Sequence, residues 1–280
     1  MLCVSHVPRE AGLVRDVIRL WRYTRMVVLV AITAALYAAI LIPFKVGIPL
    51  IPGFTEFRPA NVIPIICSLL FGPAAAWGAG FGNFIGDALG GTLGPGSIFG
   101  FVGNFLYGYI PYKLWGRLGP LSSKVEPDLR TRTGRATAEY ITIALISSLA
   151  CGLVIGWGVD LMGMVPFAAR ANIIVVNNFI VASVLGPILL AVIYPRMKRW
   201  GLLYTDIMEE RDLARPRSSL VGIPLLIAGV SSGIVAGNLI AAGIYKSPLF
   251  AFGRGPTGEV GISLGLLPFI LLILMASSLL

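Results

Sequence analysis

Residues 26–43 read Met-Val-Val-Leu-Val-Ala-Ile-Thr-Ala-Ala-Leu-Tyr-Ala-Ala-Ile-Leu-Ile-Pro, with Arg22 and Arg25 standing just before them. A helix that crosses the hydrocarbon core of a bilayer needs about 17–25 apolar residues, so this uncharged stretch is long enough to cross. Working outward, further apolar stretches fall at 60–72, 73–90, 97–115, 137–159, 171–195, 220–243 and 260–280. Seven of the eight have spanning length. The stretch 60–72 is short and carries Pro64, so it is expected to span only part way or to tilt into a loop. The turn Leu70-Phe71-Gly72-Pro73 separates it from the next helix. Across all 280 residues, 56% are hydrophobic and 12% charged. Mean hydropathy is +0.86. A soluble domain is about 45–50% apolar and about 25% charged. The 34 glycines and 19 prolines sit inside apolar runs, which membrane helices tolerate. A soluble enzyme, a disulfide-stapled domain and a disordered chain are excluded; the fold class is an all-α, polytopic membrane helix bundle.

The net charge of +9 belongs to orientation, not to nucleic acid. Arg9, Arg15, Arg19, Arg22 and Arg25 precede the first helix. Lys113, Arg117, Lys124, Arg130, Arg132 and Arg135 follow the fourth stretch, and Arg196, Lys198, Arg199, Arg211, Arg215 and Arg217 follow the sixth. Eight alternating spans put these 17 of the 22 basic residues on one side. The positive-inside rule makes that side cytoplasmic, with both termini inside a plasma membrane. The basic first 25 residues imitate the start of a signal peptide, but the apolar stretch behind them is too long for one and lacks a clear cleavage site, so it reads as a retained helix. Cys3, Cys67 and Cys151 form no CxxC, and His6 is the lone histidine, so no disulfide framework, metal site or cofactor is encoded. No Walker A pattern occurs.

Polar side chains kept inside lipid mark cavities or partner helices. Asn83 and Asp87 share one helical face at i and i+4; Asn104 and Tyr107 do so at i and i+3. The sixth stretch carries Asn172, Asn177 and Asn178, and the seventh Asn238. At 1.5 Å per residue, Asn83, Asn104, Asn178 and Asn238 lie about 7–11 Å below the outer helix ends. With Glu56 and Arg58 after the first helix, and Trp157 and Asp160 after the fifth, they outline an outward-facing pocket for a small polar heterocycle or similar solute. Interhelical hydrogen bonding is the other role open to each asparagine, and a membrane-interface anchor the other role for Trp157. Ala31, Ala35 and Ala39 repeat every four residues on the first helix. Such a ridge permits close helix approach, either within the bundle or against a separate subunit.

Three features together resemble the substrate-binding S components of energy-coupling factor transporters: the Ala31-xxx-Ala35-xxx-Ala39 ridge, the run Leu69-Leu70-Phe71-Gly72-Pro73 leading to Gly86-Asp87, and six spans with cytoplasmic termini over residues 26–200. The resemblance implies that the ridge docks a transmembrane coupling subunit. It also implies that a vitamin-like solute binds beneath the outer loops, and that two ATPases power delivery. Glu56-Phe57-Arg58-Pro59-Ala60 is similar to the branch proposed for queuosine precursors. There an acidic residue follows; here Asn61 does. The expected organisation is a basic segment 1–25, a six-helix core 26–200, a linker 201–219 and an additional hairpin 220–280. Three other readings stay open: a stand-alone secondary transporter, an intramembrane aspartyl protease built on Asp87 and Asp160, and a membrane sensor.

Overall fold

Backbone groups in lipid find no water to bond, so each apolar stretch has to close its own hydrogen bonds as a helix. The computed structural model describes residues 15–47, 49–51, 55–56, 58–123, 126–131, 134–213, 218–242 and 260–280. Cys3 and His6 lie outside them. In chain order the helices are α1 (Arg15–Arg19), α2 (Thr24–Gly47), α3 (Val62–Phe71), α4 (Pro73–Leu89), α5 (Gly96–Leu114), α6 (Gly134–Leu161), α7 (Phe167–Arg199), α8 (Tyr204–Ile207), α9 (Ser219–Ala241) and α10 (Val260–Leu279). Two short antiparallel strands, β1 (Pro49–Ile51) and β2 (Thr55–Glu56), pair in the loop after α2.

Among the described residues, five helices, α2, α6, α7, α9 and α10, are long and apolar enough to cross a membrane. Of the seven stretches expected to span, the two that form α4 and α5 fall short of that measure of length and hydropathy. Helix α4 has only 17 residues, and α5 is diluted by Asn104, three tyrosines and Lys113. These polar groups are tolerated because Asn104, the tyrosines and Lys113 are all buried against neighbouring helices. The short stretch resolves into α3, which has 10 residues, all but Ile63 buried. A helix that is apolar all round belongs in a core; α3 sits among α2, α4, α5 and α7. It ends at Gly72, whose φ of +52° is a conformation that favours glycine. Pro73 then opens α4 at a position where its missing N–H costs nothing.

Close approach of α2 and α4 organises the remaining core. Gly78, Gly82 and Gly86 form one stripe of α4 against Thr33, Ala34, Tyr37 and Leu41 of α2. A Cβ on Gly82 would lie 2.9 Å from the Ala34 carbonyl oxygen and 3.0 Å from Tyr37. From there the packing runs α4 to α5, α5 to α6 and α6 to α7. The hairpin α9–α10 lies against α6, and α9 also touches α7.

The basic loops meet at one end of the bundle. Arg19 Nη1 lies 2.6 Å from Asp212 Oδ1, and the Tyr23 hydroxyl donates to Asp212 Oδ2 at 2.8 Å. Lys113 Nζ lies 2.9 Å from Asp16 Oδ2 in a pair that is almost wholly buried, and the Tyr112 hydroxyl donates to the same oxygen. Lys198 bonds Glu126. Each pair joins a different two of the three basic segments. Burial pushes the Asp212 carboxyl up, but the Tyr23 hydroxyl and Arg19 outweigh it and hold it below the usual range. The stability it lends is present above the ordinary carboxylate pKa and is lost as pH falls through the depressed value.

Gly82→Ala is expected to lower unfolding stability in detergent by about 1–3 kcal/mol, the usual penalty of overpacking. Gly94→Ala, whose Cβ would meet nothing within 4 Å, is expected to leave the melting temperature unchanged. Equal melting of the two variants would show that the α2–α4 stripe is not tightly packed.

Candidate solute-binding site

At the end of the core opposite the basic loops, side chains from three helices and a 3-10 turn close a buried polar cluster. Tyr37 reaches in from α2, where its neighbours Ala34 and Ala38 are buried. Its hydroxyl lies 3.0 Å from Asn61 Oδ1 and 2.9 Å from Asn104 Oδ1. Asn61, in the 3-10 turn that leads into α3, donates its amide to Asn178 Oδ1 on α7. Asn104, on α5, donates to the Gly100 carbonyl at 2.9 Å, and the Tyr107 hydroxyl donates to the Asn178 carbonyl at 3.3 Å. All five polar side chains are less than 5% exposed. Buried amides demand such partners, because an unpaired one costs about 1–3 kcal/mol.

A hydroxyl carries a single proton, yet Tyr37 faces two carbonyl oxygens. An amide turned over to present its NH₂ would satisfy both contacts. Beside the cluster runs a cleft lined by Arg58, Arg170, Ile173, Ile174, Asn177 and Asn178. It holds about 10 Å³, roughly the space of one water. The Arg58 backbone N–H points at Asn177 Oδ1 from 3.5 Å. Two guanidinium groups thus line the cleft next to a floor of amides, a set of donors for a solute rich in oxygen and nitrogen acceptors.

The sequence-predicted residues divide. Asn61, Asn104, Tyr107 and Asn178 are brought together, and Arg58 and Asn177 line the adjoining cleft. Asn83 is buried next to Gly100 and donates to Asp87 Oδ2 at 3.3 Å, the i to i+4 pair expected; Asp87 also accepts from Thr92. Three groups are placed elsewhere. The Trp157 indole donates to the Ser263 carbonyl at 3.1 Å and fastens α10 to α6. Asp160 accepts the Phe167 N–H at 2.7 Å and so caps the start of α7. Asn238 does not join the amide layer; it exchanges amide hydrogen bonds with Asn172 and clamps α9 to α7. The Glu56 side chain lies outside the described residues. Tyr37 and Arg170 were not singled out in the sequence. The signal for Tyr37 was its isolation: it is the one aromatic hydroxyl within 26–43, opposite the alanine ridge.

Ala31, Ala35 and Ala39 are exposed on α2, flanked by the exposed Val28, Ile32 and Leu36. The ridge is not consumed by internal packing. Among the described residues, no three His, Cys, Asp or Glu side chains converge as metal ligands would.

Residues 27–195 match the family model described as QueT transporter. No curated protein and no solved structure matches the chain.

Truncating an amide that bonds a solute leaves the solute's polar group unpaired, at a cost of about 1–3 kcal/mol. Asn104→Ala and Asn178→Ala are therefore expected to bind the co-purifying solute roughly 5- to 150-fold more weakly in calorimetry. Lower melting temperature with unchanged affinity would make the cluster purely structural.

Proposed function

Because the chain belongs to the QueT transporter family, whose members are S components of energy-coupling factor transporters, we propose that it captures a queuosine-precursor-like heterocycle from outside the cell and passes it inward with a coupling subunit and two ATPases. It is a multi-pass membrane protein and a substrate-binding transport component. In the proposed orientation both termini and the basic loops face the cytoplasm, which follows from the positive-inside rule. The solute would bind at Asn61, Asn104, Tyr107, Asn177 and Asn178, with Arg58, Asn83 and Asp87 around them.

The observation that carries this reading is the division of labour on α2. One face buries Tyr37 in the amide cluster, and the other leaves Ala31, Ala35 and Ala39 open. An exposed row of alanines gives a partner helix a flat surface for backbone-close packing, which in lipid replaces the missing hydrophobic drive. Asn61, where the queuosine-precursor pattern carries an acid, stands inside the cluster, so the solute meets an amide there. The hairpin α9–α10 is a brace in this reading. It is held by Trp157, by the Asn172–Asn238 clamp and by the Tyr109 hydroxyl donating to the Ser277 carbonyl at 3.0 Å. It packs on α6 and α7, away from the ridge.

Mass spectrometry of the molecule that co-purifies with the protein tests the solute class; a lipid or metabolite without a fused heterocycle would refute it. Ala35→Leu is expected to abolish co-purification with the coupling subunit while solute binding persists, because the leucine blocks close helix approach. Loss of binding and folding together would place the ridge inside the bundle instead. Orientation is open to cysteine labelling in a Cys3-replaced background. Gly91→Cys should react with an impermeant thiol reagent in intact cells and Leu121→Cys should not; the reverse pattern would invert the topology.

A further inference from the structure

A second cavity, of about 290 Å³, lies at the basic end of the bundle, far from the amide cluster. Its wall includes Tyr112 from the last turn of α5, Trp115 just after it, Tyr194 from the end of α7 and Tyr204 at the start of α8. Helix ends mark the level of the membrane interface, and tyrosine and tryptophan favour that level. The volume stands at the low end of small-ligand pockets, so it fits a head group and not a large molecule.

Charge selects among head groups. Lys198 and Glu126, both on the wall, satisfy one another. Arg117 and Asp206 do not. Arg117 donates to the Lys113 carbonyl at 3.1 Å, and among the described residues neither it nor Asp206 has an oppositely charged side chain within ion-pair distance. One cavity thus presents a guanidinium and a carboxylate that are not paired with each other. Their complement is a molecule carrying a phosphate and a primary ammonium a few bonds apart. A guanidinium binds phosphate oxygens through a fork of parallel N–H bonds. A carboxylate accepts N–H bonds from a primary ammonium but none from a quaternary one, which has no hydrogen to give.

We propose that this cavity is a binding site for the head group of an amino-bearing phospholipid, of the phosphatidylethanolamine type, from the leaflet on the basic side, with its phosphate on Arg117 and its ammonium on Asp206. The site stands apart from the solute cluster, so the two readings fail independently.

The test uses the full chain in nanodiscs of equal parts phosphatidylethanolamine and phosphatidylcholine, released for native mass spectrometry. The wild type is expected to retain phosphatidylethanolamine about tenfold over phosphatidylcholine, the effect of one charge-assisted hydrogen bond. Arg117→Gln is expected to reduce retention of the lipid about tenfold. Asp206→Asn is expected to erase the preference between the two lipids. Should Arg117→Gln fail to fold, Arg117→Lys and Asp206→Asn carry the test, the lysine keeping the charge but losing the fork. Equal retention of both lipids by the wild type, or unchanged preference in Asp206→Asn, overturns the proposal. So does tight binding of free O-phosphoethanolamine at the same concentration, which would make the ligand a soluble phosphate ester.

Discussion

The near-contact of α2 and α4 backbones is the constraint on which the rest of the molecule depends. Three glycines one turn apart, Gly78, Gly82 and Gly86, remove side chains where α2 arrives. In lipid there is no hydrophobic gain in bringing two apolar helices together, so packing at van der Waals distance has to supply the drive. The same approach carries Tyr37 deep enough to touch Asn61 and Asn104. With a bulkier α4 the hydroxyl would withdraw, and the amides of Asn61 and Asn104 would lose the group that joins them. The polar cluster is thus a product of apolar packing.

Much of this architecture was legible in the sequence because lipid imposes simple rules. Apolar length located the helices, and the lysine and arginine count foretold that the N-terminal segment and two loops share one end. Asn104 and Tyr107 were readable as a pair, since helical spacing alone puts them on one face. Other features were not legible, for reasons that can be named. Helix α3 is half a span long, and no length rule tells a buried half-helix from a loop. Trp157, Asp160 and Asn238 have the chemistry of site residues, but their partners, Ser263, Phe167 and Asn172, are tertiary neighbours that composition does not reveal. Tyr37 escaped notice because a tyrosine inside an apolar run looks like core; only the packing of α2 on α4 turns its hydroxyl towards amides.

The two ends of the bundle use polarity differently. At one end, neutral amides bond one another in a network that a solute's own donors and acceptors can enter by exchange, one hydrogen bond for another. At the other end, full charges are committed to joining segments: Asp16 to Lys113, Asp212 to Arg19, Glu126 to Lys198. Asp16–Lys113 is the pair buried on both sides, and removing one member of a buried pair strands a charge and is costly. The amide end is thus the adaptable one and the charged end the anchored one.

That charged triangle also has a place in time. The carboxylate that ties Arg19 and Tyr23 belongs to residue 212, and the lysine that ties Glu126 belongs to residue 198. A chain made from its first residue onward exposes Arg19 long before Asp212 exists. Until α7 and the loop that follows it have been synthesised, Arg19 and Glu126 lack these partners, and two edges of the triangle stay open. Closure therefore requires that the six long helices and half-helices α2 to α7 have already been made. The hairpin α9–α10 is made only after that ring can shut, so during biogenesis it meets a core whose charged end is already complete.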